Sequence, residues 1–239
     1  MTLQFPTDAE RPDLRGGPAL EDIWPEFLYH DAVLNEHFRP AIREFPELQF
    51  FAWDDENDEV VGQGNAVPAA WNGDTGSLPD EGIRAVIAEK PSEPNVLCAL
   101  QIMIAPDRRG EGLSSRMIRR MHELGREHGF ERLIAPVRPN LKHRYPLAPM
   151  ERYIEWRRPD GALLDPWLRT HEALGARILK IAPQSMRVIG SVAQWEQWTE
   201  MSYPETGSYV VPGALVPVEI DRERDEGLYE EPNVWMVHG

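Results

Sequence analysis

One apolar stretch, followed by a glycine loop and a helix, constrains this chain more than any other feature. Residues 95–106 read NVLCALQIMIAP and are apolar at both alternating sets of positions, which is typical of a strand covered on both faces. The loop DRRGEG comes next, and an amphipathic helix is predicted over 111–129. The apolar stretch ERLIAPVRP follows that helix. This order predicts two parallel strands joined by a right-handed crossover.

The remaining segments favour antiparallel pairing around the crossover. Apolar spacing predicts helical structure over 20–45, with Asp31 as the N-cap of its second piece. The segment LQFFAWDDENDEVVGQGNAVPAAW predicts a hairpin with an acidic turn. Helices are also predicted at DEGIRAVIAEK, after Asp165 and after Ser191, and two late strands are predicted around 215–220 and 234–237. We therefore expect an α+β fold whose mixed, mostly antiparallel central sheet is flanked by helices and contains one parallel β-α-β crossover.

The length of 239 residues suffices for one large domain. Residues 1–18 are acidic and proline-rich, unlike a signal peptide, and are expected to form a poorly ordered leader. Residues 19–239 are expected to form a single domain. Within it we expect an insertion at about 140–165, where the chain is aromatic and irregular, and a C-terminal extension from about 183.

The composition argues against several classes of partner. The formal net charge of −15 disfavours nucleic acid or an anionic membrane as the main partner and suits a cationic small molecule. No apolar run approaches the ~20 residues that a membrane span requires. The single cysteine, Cys98, lies in an apolar run, which indicates a core residue rather than a nucleophile and fits a reducing cytoplasm.

The loop between Arg109 and Ser114 has the composition of an anion site. Glycines let the main chain approach a ligand, successive N–H groups form a nest, and the helix N-terminus adds partial positive charge. A phosphate loop of the form G-x-x-x-x-G-K-[ST] is excluded because its lysine is missing. A dinucleotide fingerprint, G-x-G-x-x-G, is disfavoured because Ser115 takes the third glycine and a hairpin precedes the motif.

The same loop resembles the diphosphate loop of the GCN5-related N-acetyltransferase superfamily, whose usual form is [Q/R]-x-x-G-x-[G/A]. Arg109 takes the first position, Gly112 the glycine and Ser114 the last small residue. Four further segments are similar to the family in the same order along the chain. They are the hairpin FAWDDENDEVVGQGNA, the strand LQIMIAP, the strand RLIAPV, and HEALGARIL, which resembles Y-E-x-x-G-F.

The resemblance implies acetyl-CoA as co-substrate. In the family the central strand and the next strand splay apart, and the pantetheine arm lies in the gap against main-chain groups. The diphosphate lies on the loop, and an asparagine after the second strand also contacts the cofactor. The cofactor-binding residues that follow are Ile102, Met103, Ile104, Arg108, Arg109, Gly110, Glu111, Gly112, Leu113, Ser114 and Asn140.

The resemblance defines the acid and the base less well. His171 takes the place of a family tyrosine, four residues before Gly175, that often protonates the departing thiolate. The central strand lacks the carboxylate that some relatives use as a base, and Gln101 is its only strongly polar side chain. The insertion offers Glu155 as a base and Tyr153 as an acid, beside His143, Asp165 and Tyr145.

Three functions fit these residues. The first is an acyl-CoA-dependent N-acyltransferase, in which a primary amine of a small molecule attacks the thioester of acetyl-CoA directly. The second is a non-catalytic acyl-CoA-binding or interaction module that has lost its acid and base. The third is a transferase acting on a protein N-terminus or lysine. We expect the first, in the cytoplasm, with no nucleic acid or membrane partner, and leave assembly as a homodimer open. No metal is expected, because the histidines show no H-x-x-x-H spacing.

Overall fold

A mixed sheet organises the protein. The computed structural model describes residues 3–16, 20 and 23–239, and nine strands of that part of the chain form one sheet. Their order is β1-β2-β3-β4-β5-β9-β8-β7, and β6 pairs with β9. Only β4 and β5 run parallel, which confirms the predicted fold class. The strands are β1 (Leu3–Gln4), β2 (Phe50–Asp54), β3 (Glu59–Ala69), β4 (Val96–Ile104), β5 (Leu133–Val137), β6 (Arg177–Gly190), β7 (Gly207–Tyr209), β8 (Val218–Asp221) and β9 (Glu226–His238).

The helices begin where the sequence offers side-chain caps. Asp31 accepts hydrogen bonds from the first turn of α1, Asp165 does the same for α5, and Ser191 forms a capping box with Gln194 at α6. These caps confirm the helix starts predicted from the sequence. The helices are α1 (Ala32–Glu44), α2 (Ile83–Ala88), α3 (Leu113–Glu127), α4 (Met150–Tyr153), α5 (Pro166–Ala173) and α6 (Val192–Thr199).

The helices form a layer on each face of the sheet. Met117 and other apolar residues of α3 pack with Leu97 and Leu133, while Leu168 of α5 packs with Ala135 on the same face. The opposite face is covered by α1, α2 and α6, and Cys98 is buried there. Neighbouring residues of a strand face opposite ways, and β4 buries apolar residues on both faces, as its sequence predicts. β5 is buried on both faces as well.

β4 and β5 run parallel but pair over a short length. Their pairing consists of Leu97 with Leu133 and Cys98 with Ile134, and both strands are fully described. β4 continues well beyond this point and stays paired with β3 on its other side. The sheet therefore has a slot between β4 and β5 that widens toward their C-terminal ends.

The N-terminal segment differs from the prediction. In the described part of the predicted leader, residues 3–16, β1 pairs with β2, and Leu14 is buried with Phe51 and Val60. The expectation of a poorly ordered leader does not hold for these residues, because their few apolar side chains cover the outer edge of the sheet. In the predicted helical segment 20–45, residues 21 and 22 lie outside the described residues and Glu26–His30 form a 3-10 helix rather than an α-helix. The second piece, α1, begins after Asp31 as predicted.

The tail differs in the length and the place of its strands. The strand predicted around 234–237 is the end of β9, which has 13 residues and lies between β5 and β6. β9 also pairs with β8, which in turn pairs with the short strand β7. Its partners are far away along the chain, so local patterns could not indicate this position.

Candidate active site

The loop after β4 leads the chain into α3 through two glycines in the left-handed region. Gly110 and Gly112 have φ angles of +89° and +75°. Gly112 caps α3, which begins at Leu113, two residues later than predicted. A Cβ on either glycine would meet no protein atom within 4 Å, so the backbone conformation, not packing, requires glycine here. The space in front of both glycines is open to a ligand.

Main-chain donors accumulate in this loop. The N–H groups of residues 109–115 donate to no acceptor among the described residues. They surround the N-terminus of a 15-residue helix, where the aligned peptide dipoles add partial positive charge. Phosphate oxygens satisfy such donors well. The loop therefore has the geometry of an anion site.

The two arginines of the loop have different environments. Arg108 forms ion pairs of 3.3 Å with the buried Asp54 of β2 and with Glu111, so it ties the loop to the hairpin. Arg109 is exposed and forms no ion pair with any described residue. Of the two, Arg109 is the guanidinium available to an incoming phosphate.

The edge of β4 that faces β5 lacks a strand partner beyond Cys98. Ile102, Met103 and Ile104, the residues predicted to meet the pantetheine arm, lie in this unpaired stretch. Their other edge is fully paired with β3, so the strand is held rigidly while its free edge offers main-chain donors and acceptors to the slot. An extended, amide-containing ligand could pair with this edge as a strand would.

Small side chains and helix α5 close the narrow end of the slot. Ala99 of β4 and Ala135 of β5 are the first residues beyond the last paired positions, and both pack against the apolar cluster that contains Leu168. His171 lies three residues after Leu168 in α5, and residues three apart share one face of a helix. This places His171 close to the narrow end.

His171 is 3% exposed and is held by the C-terminal strand. Its Nδ1 lies 2.9 Å from Nε2 of His238 in β9, and its ring packs edge-on against Trp167. Its Nε2 has no partner among the described residues. Burial, and then the neighbouring His238, lower the pKa of His171 to about 3, so the ring is neutral at pH 7. The predicted thiolate acid is therefore a neutral imidazole with one unused nitrogen.

The other predicted acid–base residues lie elsewhere. Tyr153 is buried, and its hydroxyl donates to Asp165 at 2.8 Å, so it braces the insertion against the start of α5. Burial, and then that carboxylate, raise the pKa of Tyr153, which makes it a weaker acid. The side chains of Glu155 and Asn140 are exposed and form no hydrogen bond with the described residues. The geometry brings none of these three together with His171.

The sequence did not predict a row of amide side chains formed by Gln49, just before β2, Asn65 of β3 and Gln101 of β4. Asn65 of β3 is fully buried and hydrogen-bonds both Gln49 and Gln101. The available signal was an amide residue within or next to each of three neighbouring strand segments. The sequence shows Gln101 as the only strongly polar side chain of its strand but gives no sign of its partners.

Two negative observations complete the site. Among the described residues, no group of three or more histidine, cysteine, aspartate or glutamate side chains is arranged to hold a metal ion. None of the helices in that same part of the chain combines the length and the apolar character that a bilayer crossing requires.

Comparison with known proteins agrees with this geometry. The model of the acetyltransferase (GNAT) family matches residues 18–148. The chain belongs to this family. A curated relative, arginine N-acetyltransferase avaD of Aspergillus versicolor, is 32% identical over 252 residues, covering 92% of this chain and 86% of that protein. This GNAT-family chain is therefore an N-acyltransferase, and the alternative of a non-catalytic module is not favoured.

Solved structures share the same fold. The loading GNATL domain of CurA from Lyngbya majuscula superposes with a TM-score of 0.64 at 21% identity, covering 99% of this chain and 96% of that one. The GphF GNAT-like decarboxylase in complex with isobutyryl-CoA gives a TM-score of 0.56 at 16% identity, covering 100% and 99%. At these identities the likeness concerns the GNAT fold.

Proposed function

We propose that the chain transfers the acetyl group of acetyl-CoA to the α-amine of arginine, or of a closely similar small cationic amine. The observation that carries the proposal is the run of unpartnered N–H groups at 109–115, which adjoins the unpaired edge of β4. The diphosphate lies on the loop, the pantetheine arm follows the strand edge, and the thioester reaches the narrow end of the slot.

The reaction needs few side chains. The amine nitrogen attacks the thioester carbonyl carbon, the carbon–sulfur bond breaks, and coenzyme A leaves as a thiol while the amine loses one proton. A main-chain N–H on the free edge of β4 stabilises the developing oxyanion. The unused Nε2 of His171 provides a hydrogen-bonding group near the sulfur. The neutral ring serves as a polar contact for the thiol rather than as a strong acid.

Two observations support a cationic acceptor. The relative at 32% identity is named an arginine N-acetyltransferase. The net charge of −15 attracts small cations and repels anionic competitors. In arginine the α-amine is the nucleophile, because the guanidinium stays protonated up to a pKa above ~12 whereas α-amino groups titrate near ~8 in peptides.

The proposal is tested with purified protein, acetyl-CoA and a panel of amines. We expect coenzyme A thiol release in step with formation of Nα-acetylarginine, measured by a chromogenic thiol reagent and by mass spectrometry. Agmatine keeps a primary amine, citrulline removes the positive side-chain charge, and Nα-acetylarginine blocks the α-amine. We expect slower turnover with citrulline and none with Nα-acetylarginine.

The outcomes separate the parts of the proposal. Equal thiol release from arginine and Nα-acetylarginine would reject the α-amine as the acceptor. Equal turnover of arginine and citrulline would reject selection by charge. Tight binding of coenzyme A without thiol release from any amine would reject acetyl transfer, and a preference for longer acyl-CoAs would reject acetyl as the donor group.

A further inference from the structure

Three amide side chains form a continuous row across the sheet. Asn65 of β3 is the register partner of Gln101 in β4. On the other side of β3, Phe50 is the partner of Gly64, so Gln49 stands opposite Asn65. Gln49 and Asn65 are buried, whereas Gln101 is partly exposed. The row therefore leads from the interior to a side chain that a ligand can reach.

Main-chain groups fix the orientation of the first amide. Gln49 Nε2 donates to the carbonyl oxygens of Phe45 and Ala66, each at 2.8 Å. Gln49 Oε1 accepts from the N–H of Ala66 at 3.2 Å. A carbonyl cannot donate and an N–H cannot accept, so the oxygen and nitrogen of this side chain cannot be exchanged.

The orientation is passed along the row. Gln49 Oε1 also accepts from Asn65 Nδ2 at 3.0 Å, which leaves Asn65 Oδ1 on the side of β4. Asn65 Oδ1 accepts from Gln101 Nε2 at 2.7 Å and from Gln63 Nε2 at 3.3 Å. The nitrogen of Gln101 is therefore committed to Asn65. No group of the described residues donates to the remaining atom, Gln101 Oε1.

A β-bulge sets the position of Gln101. Asn65 pairs with Gln101 but the next residue, Ala66, pairs with Ala99, so Leu100 is an extra residue in β4. Such a bulge re-aims side chains and increases the local twist of the strand. It lies next to the point where β4 and β5 part.

The row lies on the face of the sheet opposite α3. Phe50 packs in the cluster beneath α3, and its neighbour Gln49 points the other way, as do Asn65 and Gln101 beside it. A cofactor whose diphosphate lies at the N-terminus of α3 enters the slot from the α3 face. The thioester can then be approached by a second substrate from the face that carries Gln101.

We propose that Gln101 Oε1 accepts an N–H of the acceptor amine and orients it toward the thioester, with Asn65 and Gln49 as positioning residues. This inference rests on the proposed function and adds the residue that receives the amine. Glutamine takes up no proton, so Gln101 selects the orientation of an amine that arrives neutral. The proton that the amine loses passes to the departing sulfur, so coenzyme A leaves as a thiol.

Calorimetry of arginine binding to the protein–coenzyme A complex tests this contact without turnover. Gln101→Leu should weaken arginine binding about tenfold, the loss of one hydrogen bond to a polar ligand, and leave coenzyme A affinity unchanged. Gln63→Leu is the matched control, because Gln63 also donates to Asn65 but lies on β3, one strand farther from β5 than Gln101. It should bind arginine as the wild type does. Asn65→Ala should give an intermediate loss, because it frees Gln101 to rotate.

Steady-state kinetics give an independent readout. Gln101→Leu should raise KM for the amine and leave KM for acetyl-CoA unchanged. Gln101→Glu should add an acid limb to kcat/KM for the amine, because the new carboxyl titrates while the wild-type amide does not. Melting temperatures of all variants show whether each one is folded.

The result that overturns the inference is an arginine affinity of Gln101→Leu within twofold of the wild type. A wild-type complex that holds coenzyme A but neither binds nor acetylates arginine overturns the arginine assignment together with this contact. Unchanged arginine binding in Gln101→Leu, with active wild type, overturns the contact alone.

Discussion

The two halves of the molecule treat their polar groups in opposite ways. In the cofactor half, residues 95–137, the N–H groups of 109–115 and one edge of β4 have no partner within the described residues. In the C-terminal half, residues 138–239, the charged groups of Arg138 and Lys142 are paired over long sequence separations, whereas Nε2 of the buried His171 has no partner among the described residues. Arg138 meets Glu231 at 2.8 Å, and Lys142 Nζ donates to the Leu215 carbonyl at 2.6 Å.

The difference shows where a ligand completes the protein. Unpaired polar groups are favoured at places that solvent or a ligand reaches, because burying them without partners costs free energy. The cofactor half therefore keeps its donors at an open surface. The C-terminal half uses its polar groups as a frame that holds α5 and the insertion in place.

The largest expected effect comes from placing a carboxylate in the cofactor half. Gly112→Asp should weaken coenzyme A binding on the order of a hundredfold, because a side chain and a negative charge would occupy the anion site. Isothermal titration with coenzyme A measures the loss. Gly129→Asp is the matched control, since Gly129 also has a positive φ, of +85°, and open space around it, at the other end of α3. Equal weakening in both variants would refute the loop assignment.

The corresponding change in the C-terminal half should affect stability instead. Glu231 is buried, receives hydrogen bonds from Arg138, and accepts one from Tyr229 at 2.7 Å. Glu231→Gln leaves the Arg138 charge unpaired and should lower the free energy of unfolding by about 3–5 kcal/mol. Urea denaturation measures the change.

A neighbouring pair provides the control for that experiment. Glu230 pairs with Arg187 at 3.1 Å near the surface, where such pairs contribute less than about 1 kcal/mol. Glu230→Gln should therefore change the free energy of unfolding little. Similar losses in the two variants would contradict the idea of a buried frame.

Acid should destabilise the protein through its buried histidines. Burial lowers the pKa of His171 to about 3 and that of His238 to about 4, below the value of about 6.5 in the unfolded chain. Between these pH values the unfolded chain binds more protons than the folded protein. The contribution of the two neutral histidines to the free energy of unfolding is therefore fully present above pH 6.5. It is lost as the pH falls below 6.5, by up to about 1.4 kcal/mol per pH unit for each histidine.

Urea denaturation at pH 7, 6 and 5 measures this dependence. His171→Phe should flatten it, whereas His143→Phe should not, because His143 is exposed. An unchanged slope in His171→Phe would show that its ring is not held neutral by the fold.

The smallest effect is expected at the tyrosine predicted as an acid. Tyr153→Phe removes the hydrogen bond to Asp165 and should lower the free energy of unfolding by about 1 kcal/mol without changing turnover. Glu155→Gln should change neither quantity, because Glu155 is exposed. A tenfold fall in kcat for Tyr153→Phe would return the tyrosine to the reaction.

Local features of the fold were predictable where they depend on neighbouring residues. The caps at Asp31, Asp165 and Ser191, the hairpin and the crossover all follow from side chains within a few positions of each element. The position of β9 between β5 and β6 was not predictable, because pairing between strands that are distant in sequence leaves no local pattern. The same holds for the leader residues that pair with β2.

The candidate site also combines features that depend on contiguous residues with features that depend on distant ones. The cofactor loop could be found because its glycines and the helix behind it are contiguous. The hydrogen-bond partner of His171 in α5 could not be predicted, because His238 lies 67 residues later, in β9. The orientation of the Gln101 side chain could not be predicted either, because it depends on Gln49 before β2 and on Asn65 in β3.

The sequence alone determined the anion loop, because the sign of φ at Gly112 and the free N–H groups of a helix start are properties of the local chain. The tertiary structure decided which side chains are neutral, buried or oriented. Hydrogen bonds and burial depend on contacts between residues far apart in sequence, which become defined only when the sheet is assembled.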